Sequence, residues 1–422
     1  MNNEKLRVPK LRFKEFSGEW EEKCFGDIYN FLQTNSFSRA LLNYENGDVK
    51  NVHYGDIHTK FKSNFYIQDE TVPYINQYID LSKIKEENYC KEKDLVIADA
   101  SEDYKDIGKA IELIDLNNEK LLAGLHTYIA RDDKDKMALG FSGYFMQTHS
   151  VRVQMMKMAT GISVLGISKG NLNKLELIIP QKQEQEKIAS FLSSIDKKIN
   201  QLSKKDKLLQ NYKKAMMQKI FSQKLRFKKE DGSDYPKWEE KKLEKFLILT
   251  LREVSKPKNN YLAIGVRSHC KGTFQKPNSE PEKIALDRLY QVKENDLIVS
   301  ITFAWESAIA IVKKEDENGL VSHRFPTYTF DETIMNVNFF RYVIVQKEFR
   351  FMLELISPGG AGRNRVMSKK DFLKLNINLP SLEEQTKIAN FLSSLDTKIS
   401  QNRKALEETQ KFKKALLQKM FV

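Results

Sequence analysis

Two groups of basic, amide and aromatic side chains in this sequence could contact an extended polyanion. Lysine and arginine donate hydrogen bonds to phosphates, and arginine, asparagine and histidine can also reach base edges in a groove of a duplex. One group lies in the first half of the chain and one in the second; the candidate contact residues are Arg39, His53, Tyr54, Lys60, Arg252, Lys256, Arg267, Arg363, Asn364 and Arg365. For each of them, ordinary solvation at the surface is the alternative interpretation.

The sequence lacks the common motifs of catalysis. It has no GxxxxGK[ST] loop for a nucleoside triphosphate, and its glycine run at 359–362 lacks the third glycine and the strand-to-helix setting of a dinucleotide-binding fingerprint. Its three cysteines, Cys24, Cys90 and Cys270, are far apart and form no CxxC pair that could bind zinc. We therefore predict no catalytic residue, no metal ligand and no cofactor site in this chain.

Two weaker patterns imitate active sites. Asp234 with Glu239-Glu240-Lys241 loosely resembles the carboxylate–lysine arrangement of a metal-dependent nuclease, but it lies in a repeated segment, which favours a charged strand edge. His126 and His323 have no serine, cysteine or second histidine at a recognisable catalytic spacing, which favours structural histidines.

Composition limits the class of protein. The 422 residues suit two domains, and 41% hydrophobic residues are enough to form their cores. A net charge of +13 favours nucleic acid as the partner, with an anionic membrane surface as the alternative. No apolar run reaches the roughly 18 to 20 residues of a membrane span, and residues 1–10 are polar. With the unpaired cysteines, this predicts a cytoplasmic protein.

An internal repeat organises the chain. Residues 180–221 (PQKQEQEKIASFLSSIDKKINQLSKKDKLLQNYKKAMMQKIF) match residues 380–421 (PSLEEQTKIANFLSSLDTKISQNRKALEETQKFKKALLQKMF), and about half of the positions are identical. A second repeat precedes each half: Leu11-Arg12-Phe13 with Trp20-Glu21-Glu22-Lys23, and Leu225-Arg226-Phe227 with Trp238-Glu239-Glu240-Lys241. We predict both tryptophans to be core anchors. A constant frame therefore surrounds two different inserts.

Each copy of the long repeat is predicted to form an amphipathic helix of some forty residues, because its apolar residues recur at steps of four and three. Pro180 and Pro380 indicate the helix starts. We expect the two helices to pack antiparallel within one chain, relating the halves by an approximate two-fold; a homodimeric coiled coil is the alternative. Asp206, Lys213 and Asn402 interrupt the apolar stripe. The predicted spacer and partner-binding residues are Gln185, Ile188, Phe191, Leu192, Ile195, Ile199, Gln385, Ile388, Phe391, Leu392, Leu395 and Ile399.

The inserts indicate an α+β fold. Asp94-Leu95-Val96-Ile97 and Asp296-Leu297-Ile298-Val299 are short apolar runs that predict buried strands. The chain is accordingly divided into a first recognition domain at 1–180, a first helix at 181–222, a second recognition domain at 223–380 and a second helix at 381–422.

The order of these segments resembles the specificity subunit of a type I restriction-modification system. The resemblance rests on Glu184-Gln185-Glu186-Lys187-Ile188-Ala189-Ser190-Phe191-Leu192 with Asp196, and on Glu384-Gln385-Thr386-Lys387-Ile388-Ala389-Asn390-Phe391-Leu392 with Asp396. Ile167-Ser168-Lys169 and Met367-Ser368-Lys369 precede these runs at matching distances. The double pattern covers the whole chain.

Membership of that family implies two target recognition domains, held apart by an antiparallel pair of spacer helices. It implies double-stranded DNA as ligand, and methyltransferase and restriction subunits as partners, docked on the helices. S-adenosylmethionine, ATP and Mg²⁺ would be used by those partners. Because the inserts differ, the DNA site is expected to be bipartite and asymmetric. The alternatives are a coiled-coil scaffold without sequence-specific DNA binding, and a fused nuclease.

Overall fold

The computed structural model describes residues 7–359 and 365–422. The chain forms two compact units: the first extends to Lys205 and includes Asn402–Val422, and the second is Asp206–Gln401. Both units mix strands and helices, so the predicted α+β class is confirmed. The domain boundaries at 180, 222 and 380 stay a prediction.

The first unit contains thirteen strands among its described residues. The strands are β1 (Glu21–Cys24), β2 (Asn30–Leu32), β3 (Leu42–Asn43), β4 (Val49–Val52), β5 (Asn64–Tyr66), β6 (Tyr74–Ile75), β7 (Leu95–Ala98), β8 (Ala100–Ser101), β9 (Ala110–Asp115), β10 (Lys120–Ala123), β11 (Thr127–Arg131), β12 (Leu165–Gly166) and β13 (Glu176–Ile179). The central sheet has the order β2-β11-β7-β9-β5, and a second sheet has the order β10-β4-β6-β3. Two-stranded pairings join β1 with β13 and β8 with β12.

Short helices cover this sheet, and one long helix follows it. They are α1 (Phe25–Ile28), α2 (Tyr54–Thr59), α3 (Phe141–Phe145), α4 (His149–Met158), α5 (Lys169–Asn173) and α6 (Lys182–Phe221). The run predicted as a buried strand is β7, whose four residues are all buried. Its side chains face two cores, because alternate residues of a strand point to opposite sides of the sheet. Leu95 and Ile97 pack with Trp20 and Phe141, whereas Val96 packs with Ile57.

The second unit repeats this plan with eleven strands among its described residues. The strands are β14 (Glu239–Lys242), β15 (Leu247–Leu249), β16 (Glu253–Ser255), β17 (Tyr261–Val266), β18 (Thr273–Ser279), β19 (Arg288–Gln291), β20 (Leu297–Val299), β21 (Ile309–Ile311), β22 (Leu320–Val321), β23 (Thr327–Phe330) and β24 (Asn376–Leu379). Its main sheets have the orders β15-β23-β20-β21 and β16-β19-β22-β17-β18. The helices are α7 (Val337–Val343), α8 (Lys347–Leu355), α9 (Lys369–Leu373) and α10 (Leu382–Lys419).

The predicted frame forms the same small pairing in each unit. In the first unit β1 pairs antiparallel with β13, placing Glu21 opposite Ile179. In the second unit β14 pairs antiparallel with β24, placing Glu239 opposite Leu379. Each pairing ends one residue before the proline that precedes a long helix, so the frame fixes where that helix leaves the sheet. Trp20 is buried, which confirms its role as a core anchor.

The two long helices pack together and contribute to both units. α6 has 40 residues and α10 has 38, which confirms the predicted length. In the first unit Asp196 of α6 meets Lys413 of α10, with Nζ–Oδ1 at 2.6 Å. Farther along α6, the carbonyl of Leu202 accepts a hydrogen bond from Asn402 Nδ2 at 2.9 Å. Later residues of α6 therefore meet earlier residues of α10, and the pairing is antiparallel.

The matching contact recurs in the second unit, where Lys213 of α6 pairs with Asp396 of α10. The sequence marked Lys213 and Asn402 as defects in the apolar stripe. The structure gives both of them a polar partner on the facing helix, which fixes the relative position of the two helices.

Candidate nucleic-acid interface

Three loops of the first unit meet at one surface. They are residues 99–101 after β7, residues 124–126 before β11, and residues 159–167 after α4. The backbone joins them: Asp99 N donates to the carbonyl of His126 at 3.1 Å, and Ile167 N donates to the carbonyl of Asp99 at 2.9 Å. We call this region the first three-loop surface. A shallow cleft of about 400 Å³ lies there, with His126, Thr160 and Val164 in its wall.

The second unit joins its corresponding loops by the same two hydrogen bonds. Ile301 N donates to the carbonyl of Arg324 at 2.9 Å, and Met367 N donates to the carbonyl of Ile301 at 2.8 Å. The second three-loop surface therefore consists of residues 300–306, 322–325 and the described part of 357–367. His126 and Arg324 occupy equivalent positions, and so do Asp99 and Ile301.

Three aromatic rings adjoin the first three-loop surface. The Tyr54 ring lies 4.7 Å from that of His53 and 5.3 Å from that of His126. His53 precedes α2, and its Nδ1 accepts from Gly55 N at 3.1 Å. Burial, together with the nearby charge of Arg39, lowers the pKa of His53, so this imidazole is neutral near pH 7. Among the predicted residues, the structure brings His53 and Tyr54 next to the three loops.

Arg39 and Lys60 are held side by side by one buried carboxylate. Arg39 Nη1 lies 2.7 Å from Asp56 Oδ2, and Lys60 Nζ lies 2.9 Å from Asp56 Oδ1. Burial opposes the charge on Asp56, but the two cations outweigh it and lower the pKa of Asp56. Tyr44 completes the group by accepting from Arg39 Nη1 at 2.9 Å. Two cations and one anion leave a net positive surface suited to a phosphate.

The third loop of the first surface presents a fully exposed isoleucine, Ile162. Reciprocal backbone hydrogen bonds between Thr160 and Gly166, at 2.9 and 2.7 Å, close the loop. Gly161 has φ of +125°, and a Cβ there would lie 2.1 Å from the carbonyl oxygen of Val164. Only glycine fits this turn, so the loop holds an aliphatic side chain in solvent on a constrained backbone.

In the second unit, Arg267 lies in the turn between β17 and β18. Its Nη1 donates to the carbonyl of Thr273 at 2.9 Å, and its guanidinium lies 5.1 Å from the ring centre of Phe274. His269, two residues later in the same turn, donates its backbone N–H to the carbonyl of Glu306 at 2.7 Å. This bond attaches the turn to residues 300–306, so Arg267 borders the second three-loop surface.

Arg365 belongs to the second three-loop surface itself. Its guanidinium lies 5.1 Å above the ring of Trp305, and its Nε donates to the carbonyl of Ser357 at 3.1 Å. Phe303, on the same loop as Trp305, is exposed. Arg363 and Asn364, predicted with Arg365, lie outside the described residues.

Two other predicted cations serve intramolecular contacts. Arg252 forms a bidentate pair with the buried carboxylate of Asp296, at 2.6 and 3.0 Å. The first unit has the same kind of pair between Arg131 and Asp94, at 2.8 and 2.7 Å. Lys256 Nζ donates to the carbonyl of Ile284 at 2.8 Å. These partners favour a structural role for Arg252 and Lys256, and their contact with DNA stays a prediction.

The apolar residues predicted on the long helices pack inside the units. Ile188, Leu192 and Ile195 belong to the first core, with Phe191 and Ile199 packed against it. Their counterparts in the second unit are also buried or packed against a core: Ile388, Phe391, Leu392, Leu395 and Ile399. A docking partner would therefore meet other faces of these helices.

The repeated Glu-Gln pairs connect each helix to its own unit. Glu184 accepts from Arg12 Nε and Nη2 at 2.8 and 2.7 Å, and Gln185 Oε1 accepts from Ala138 N at 2.9 Å. Glu184 and Gln185 are both buried. The arginine of the repeated Leu-Arg-Phe motif thus neutralises a buried glutamate at the helix start.

The second unit repeats this connection with its own residues. Glu384 accepts from Arg226 Nε and Nη2 at 3.2 and 2.6 Å, and Gln385 Oε1 accepts from Asn336 N at 2.9 Å. Gln185 and Gln385, predicted as spacer and partner-binding residues, are therefore occupied within the chain.

The imitations of active sites have structural explanations. Glu239 and Lys241 lie on strand β14 and pair with each other at 3.2 Å, which confirms the charged strand edge. In residues 7–359 and 365–422, no group of three or more histidine, cysteine, aspartate or glutamate residues could hold a metal ion. His126 and His323 are both exposed, and His126 Nδ1 lies 3.2 Å from Asp99 Oδ1; their interpretation as structural histidines stays a prediction.

Sequence reasoning missed four residues of the two surfaces, Asp99, Ile162, Phe303 and Arg324, and it missed Tyr44 beside Arg39. The signal for Asp99 is its position directly after the buried strand β7, and Arg324 lies three residues before β23. Such residues lie at a sheet edge, where loops from different parts of the chain meet.

Comparison with known proteins assigns the family. The model of the type I restriction modification DNA specificity domain matches residues 17–210 and again 236–409. The chain belongs to this family. Each copy of the specificity domain contains its own three-loop surface, and each match extends into a long helix.

Relatives agree with this assignment over most of the chain. A putative type I restriction enzyme MjaX specificity subunit from Methanocaldococcus jannaschii is 27% identical over 369 residues, covering 80% of this chain and 82% of that protein. The type I restriction enzyme MjaVIII specificity subunit from the same organism is 24% identical over 292 residues, covering 65% of this chain and 68% of that protein.

Solved structures show the same fold. The S subunit of a type I restriction-modification system from M. genitalium matches with a TM-score of 0.58 at 15% identity, covering 98% of this chain and 99% of that one. A chain from a structural study of complex assembly and conformational transition in a type I R-M system matches with a TM-score of 0.51 at 13% identity, covering 95% and 97%. No helix in the described parts of this specificity-family chain is long and apolar enough to cross a membrane.

Proposed function

We propose that this specificity subunit recognises an asymmetric, bipartite site on double-stranded DNA. The observation that supports it most is the pair of three-loop surfaces. The loops of each surface are joined by the same two backbone hydrogen bonds. One surface nevertheless presents Asp99 and His126 where the other presents Ile301 and Arg324. Base recognition depends on the donor, acceptor and apolar pattern of the side chains. Two surfaces of like geometry and unlike chemistry are suited to two different half-sites.

We propose that the chain positions DNA for methyltransferase and restriction subunits and performs no catalysis itself. The described residues contain no candidate metal cluster, and the motifs of nucleotide binding are missing from the sequence. S-adenosylmethionine, ATP and Mg²⁺ would be bound by the partner subunits. The purified chain, supplied with all three, should neither methylate nor cleave DNA. Methyl transfer by a preparation free of other subunits would contradict this assignment.

The bipartite site can be tested by exchanging one insert. We expect methylated-base sequencing of DNA from cells that carry this chain and its methyltransferase subunit to give a two-part motif. Replacing residues 243–375 by the insert of a related chain should change one part of the motif and leave the other unchanged. An exchange of residues 25–175 is the matched control and should change only the other part. A single undivided motif would contradict the bipartite site, and sequence-independent DNA binding would favour the coiled-coil scaffold.

A further inference from the structure

We propose that His126 and Arg324 are specificity-determining residues, each contacting a base edge in a different half of the DNA site. This inference rests on the proposed function. The two residues have the same place in the fold, because the carbonyl of each accepts the equivalent hydrogen bond, from Asp99 N in one unit and from Ile301 N in the other. At this shared position one unit presents an imidazole and the other a guanidinium.

His126 is fixed in place although it is exposed. Its backbone has φ of +57°, a left-handed conformation that histidine adopts more readily than most residues but still rarely. Its Nδ1 lies 3.2 Å from Asp99 Oδ1, and the Tyr54 ring packs edge-on against the imidazole at 5.3 Å. Folding does not require an exposed side chain to be held from two sides. Unusual backbone conformations of this kind cluster at binding sites, where they preorganise the contact.

The contact with Asp99 determines which base group His126 could recognise. The carboxylate can only accept, so Nδ1 carries the proton; in the uncharged tautomer of the ring, Nε2 then has a free lone pair. An acceptor at the surface fits the amino group that adenine or cytosine presents in the major groove. The exposed Ile162, on the third loop of the same surface, could meet the methyl group of a thymine.

Arg324 stands out among the arginines of the second unit. Among the described residues, seven others in this unit's recognition domain donate to a group of the same domain: Arg226 to Pro236, Arg252 to Asp296, Arg267 to Thr273, Arg288 to Glu253, Arg341 to Asn295, Arg350 to Ser307 and Arg365 to Ser357. No hydrogen bond or ion pair of the Arg324 side chain occurs within the described residues, and Arg324 is exposed. Its guanidinium is therefore free to donate two parallel hydrogen bonds to O6 and N7 of a guanine.

The surroundings of Arg324 fit a base contact better than an isolated surface charge. Its loop is bonded to the loop that carries Phe303 and Trp305, and Arg365 lies above Trp305. Aromatic and cationic side chains therefore lie on the loops that are bonded, directly or through Ile301, to the backbone of Arg324. A phosphate contact alone would need only charge, and Arg267 at the border of the surface can supply it.

The test uses the complete complex of this chain with its methyltransferase subunit. Equilibrium binding is measured for duplexes that carry the wild-type motif and for every single-base change in it. Arg324→Ala should reduce the preference for guanine at one position by about tenfold or more, in one half of the site only. His126→Asn keeps a residue that tolerates positive φ, and it should reduce the preference at one position of the other half by a similar factor.

Matched controls lie elsewhere in the same units. Arg288→Ala removes an exposed arginine from strand β19, in the sheet that does not contain β20 and β23. Lys85→Ala removes an exposed lysine that pairs with Glu87. The carbonyl of Glu87 accepts from Arg131, which is the last residue of β11, whereas His126 precedes the first residue of that strand. Both controls should retain every base preference. If Arg324→Ala abolishes all binding, Arg324→Lys serves instead, because lysine keeps the charge and lacks the planar pair of donors.

Three results would overturn the inference. Unchanged base preferences in both variants would show that neither residue contacts a base. A uniform loss of affinity across all duplexes, with a smaller salt slope, would indicate phosphate contacts only. Changes confined to the same half-site would contradict the assignment to two units. Absence of a two-part motif in the wild-type complex would instead reject the proposed function, and the inference with it.

Discussion

Glu112 is a buried acid whose surroundings pull its pKa in opposite directions. The carboxyl group accepts from Gly140 N and Gly143 N, both at 2.7 Å, which favours the carboxylate. Burial has the larger effect and raises the pKa of Glu112 to about 7. Glu112 lies on β9 beside β7, so its protonation affects the sheet that carries the first three-loop surface.

The stability of the first unit should therefore fall between about pH 4.5 and pH 7. A folded-state pKa above the unfolded value means that the folded state binds the proton more tightly. The tighter proton binding by Glu112 stabilises the folded state fully below the unfolded pKa of about 4.5, and this contribution is lost as pH rises through about 7. The contribution to the free energy of unfolding is about 3 kcal/mol. Urea unfolding at pH 5 and pH 8 measures this difference.

Glu112→Gln should remove this part of the pH dependence, because an amide resembles the protonated acid and does not titrate. The exposed Glu102→Gln is the control and should keep the wild-type slope. The assignment fails if Glu112→Gln and the wild-type protein show the same change in unfolding free energy between the two pH values.

At the scale of elements, one aspartate on each long helix contacts the recognition domain and the facing helix, in addition to the Glu-Gln pair at the helix start. Asp196 Oδ2 accepts from Tyr144 Oη at 2.7 Å and also pairs with Lys413 of the facing helix. In the second unit Asp396 accepts from Tyr342 Oη at 2.8 Å and pairs with Lys213. One carboxylate thus joins three elements: the globular part and both helices.

Asp196→Ala should destabilise the first unit by about 1 to 3 kcal/mol, because it leaves the buried Tyr144 hydroxyl without its acceptor and Lys413 without its counter-ion. Hydrogen exchange should accelerate in α3 and leave α7 unchanged. Asp396→Ala should produce the opposite pattern, so each variant is the other's control. Equal acceleration of exchange in both helices would contradict a separate connection in each unit.

The helices and the central strands could be predicted from the sequence, and most side-chain roles could not. Apolar steps of four and three identify α6 and α10 locally, since every neighbour on a helix face lies within four residues. The partner of Glu184, in contrast, is 172 residues away at Arg12. Likewise, Arg252 looked like a free cation because nothing in the sequence connects it with Asp296.

The three-loop surfaces illustrate the same limit. Local patterns predicted β7 and β20, and with them the edges from which Asp99 and Ile301 emerge. The equivalence of His126 and Arg324 depends on backbone hydrogen bonds between loops that are far apart in the chain, and the two segments share no residue pattern that would reveal it.

At the scale of the whole molecule, the first unit is completed by the last residues of the chain. Leu416, Met420 and Phe421 belong to its core. The Phe421 ring lies 5.7 Å from that of Phe141 and 6.4 Å from that of Trp20. Leu11 N also donates to the carbonyl of Lys419 at 2.8 Å. The stability of the first recognition domain therefore depends on residues 402–422.

Phe421→Ala should destabilise the first unit by about 3 to 5 kcal/mol, the usual effect of deleting a buried phenylalanine ring. Hydrogen exchange should accelerate in α3 and β7, some 270 residues or more before the substitution. Phe412→Ala, which removes a half-exposed ring from α10, the helix that Phe421 follows, should have little effect. Faster exchange confined to residues near 421 would show that the contact is dispensable.

The divided first unit has a consequence for synthesis in the cell. When residue 205 has left the ribosome, about 200 residues must still be translated before residues 402–422 can close the core. At about 5 to 20 residues per second this takes roughly 10 to 40 seconds. Throughout that interval the nascent polypeptide exposes an aromatic face around Trp20 and Phe141, and we expect chaperones that shield such surfaces to bind it.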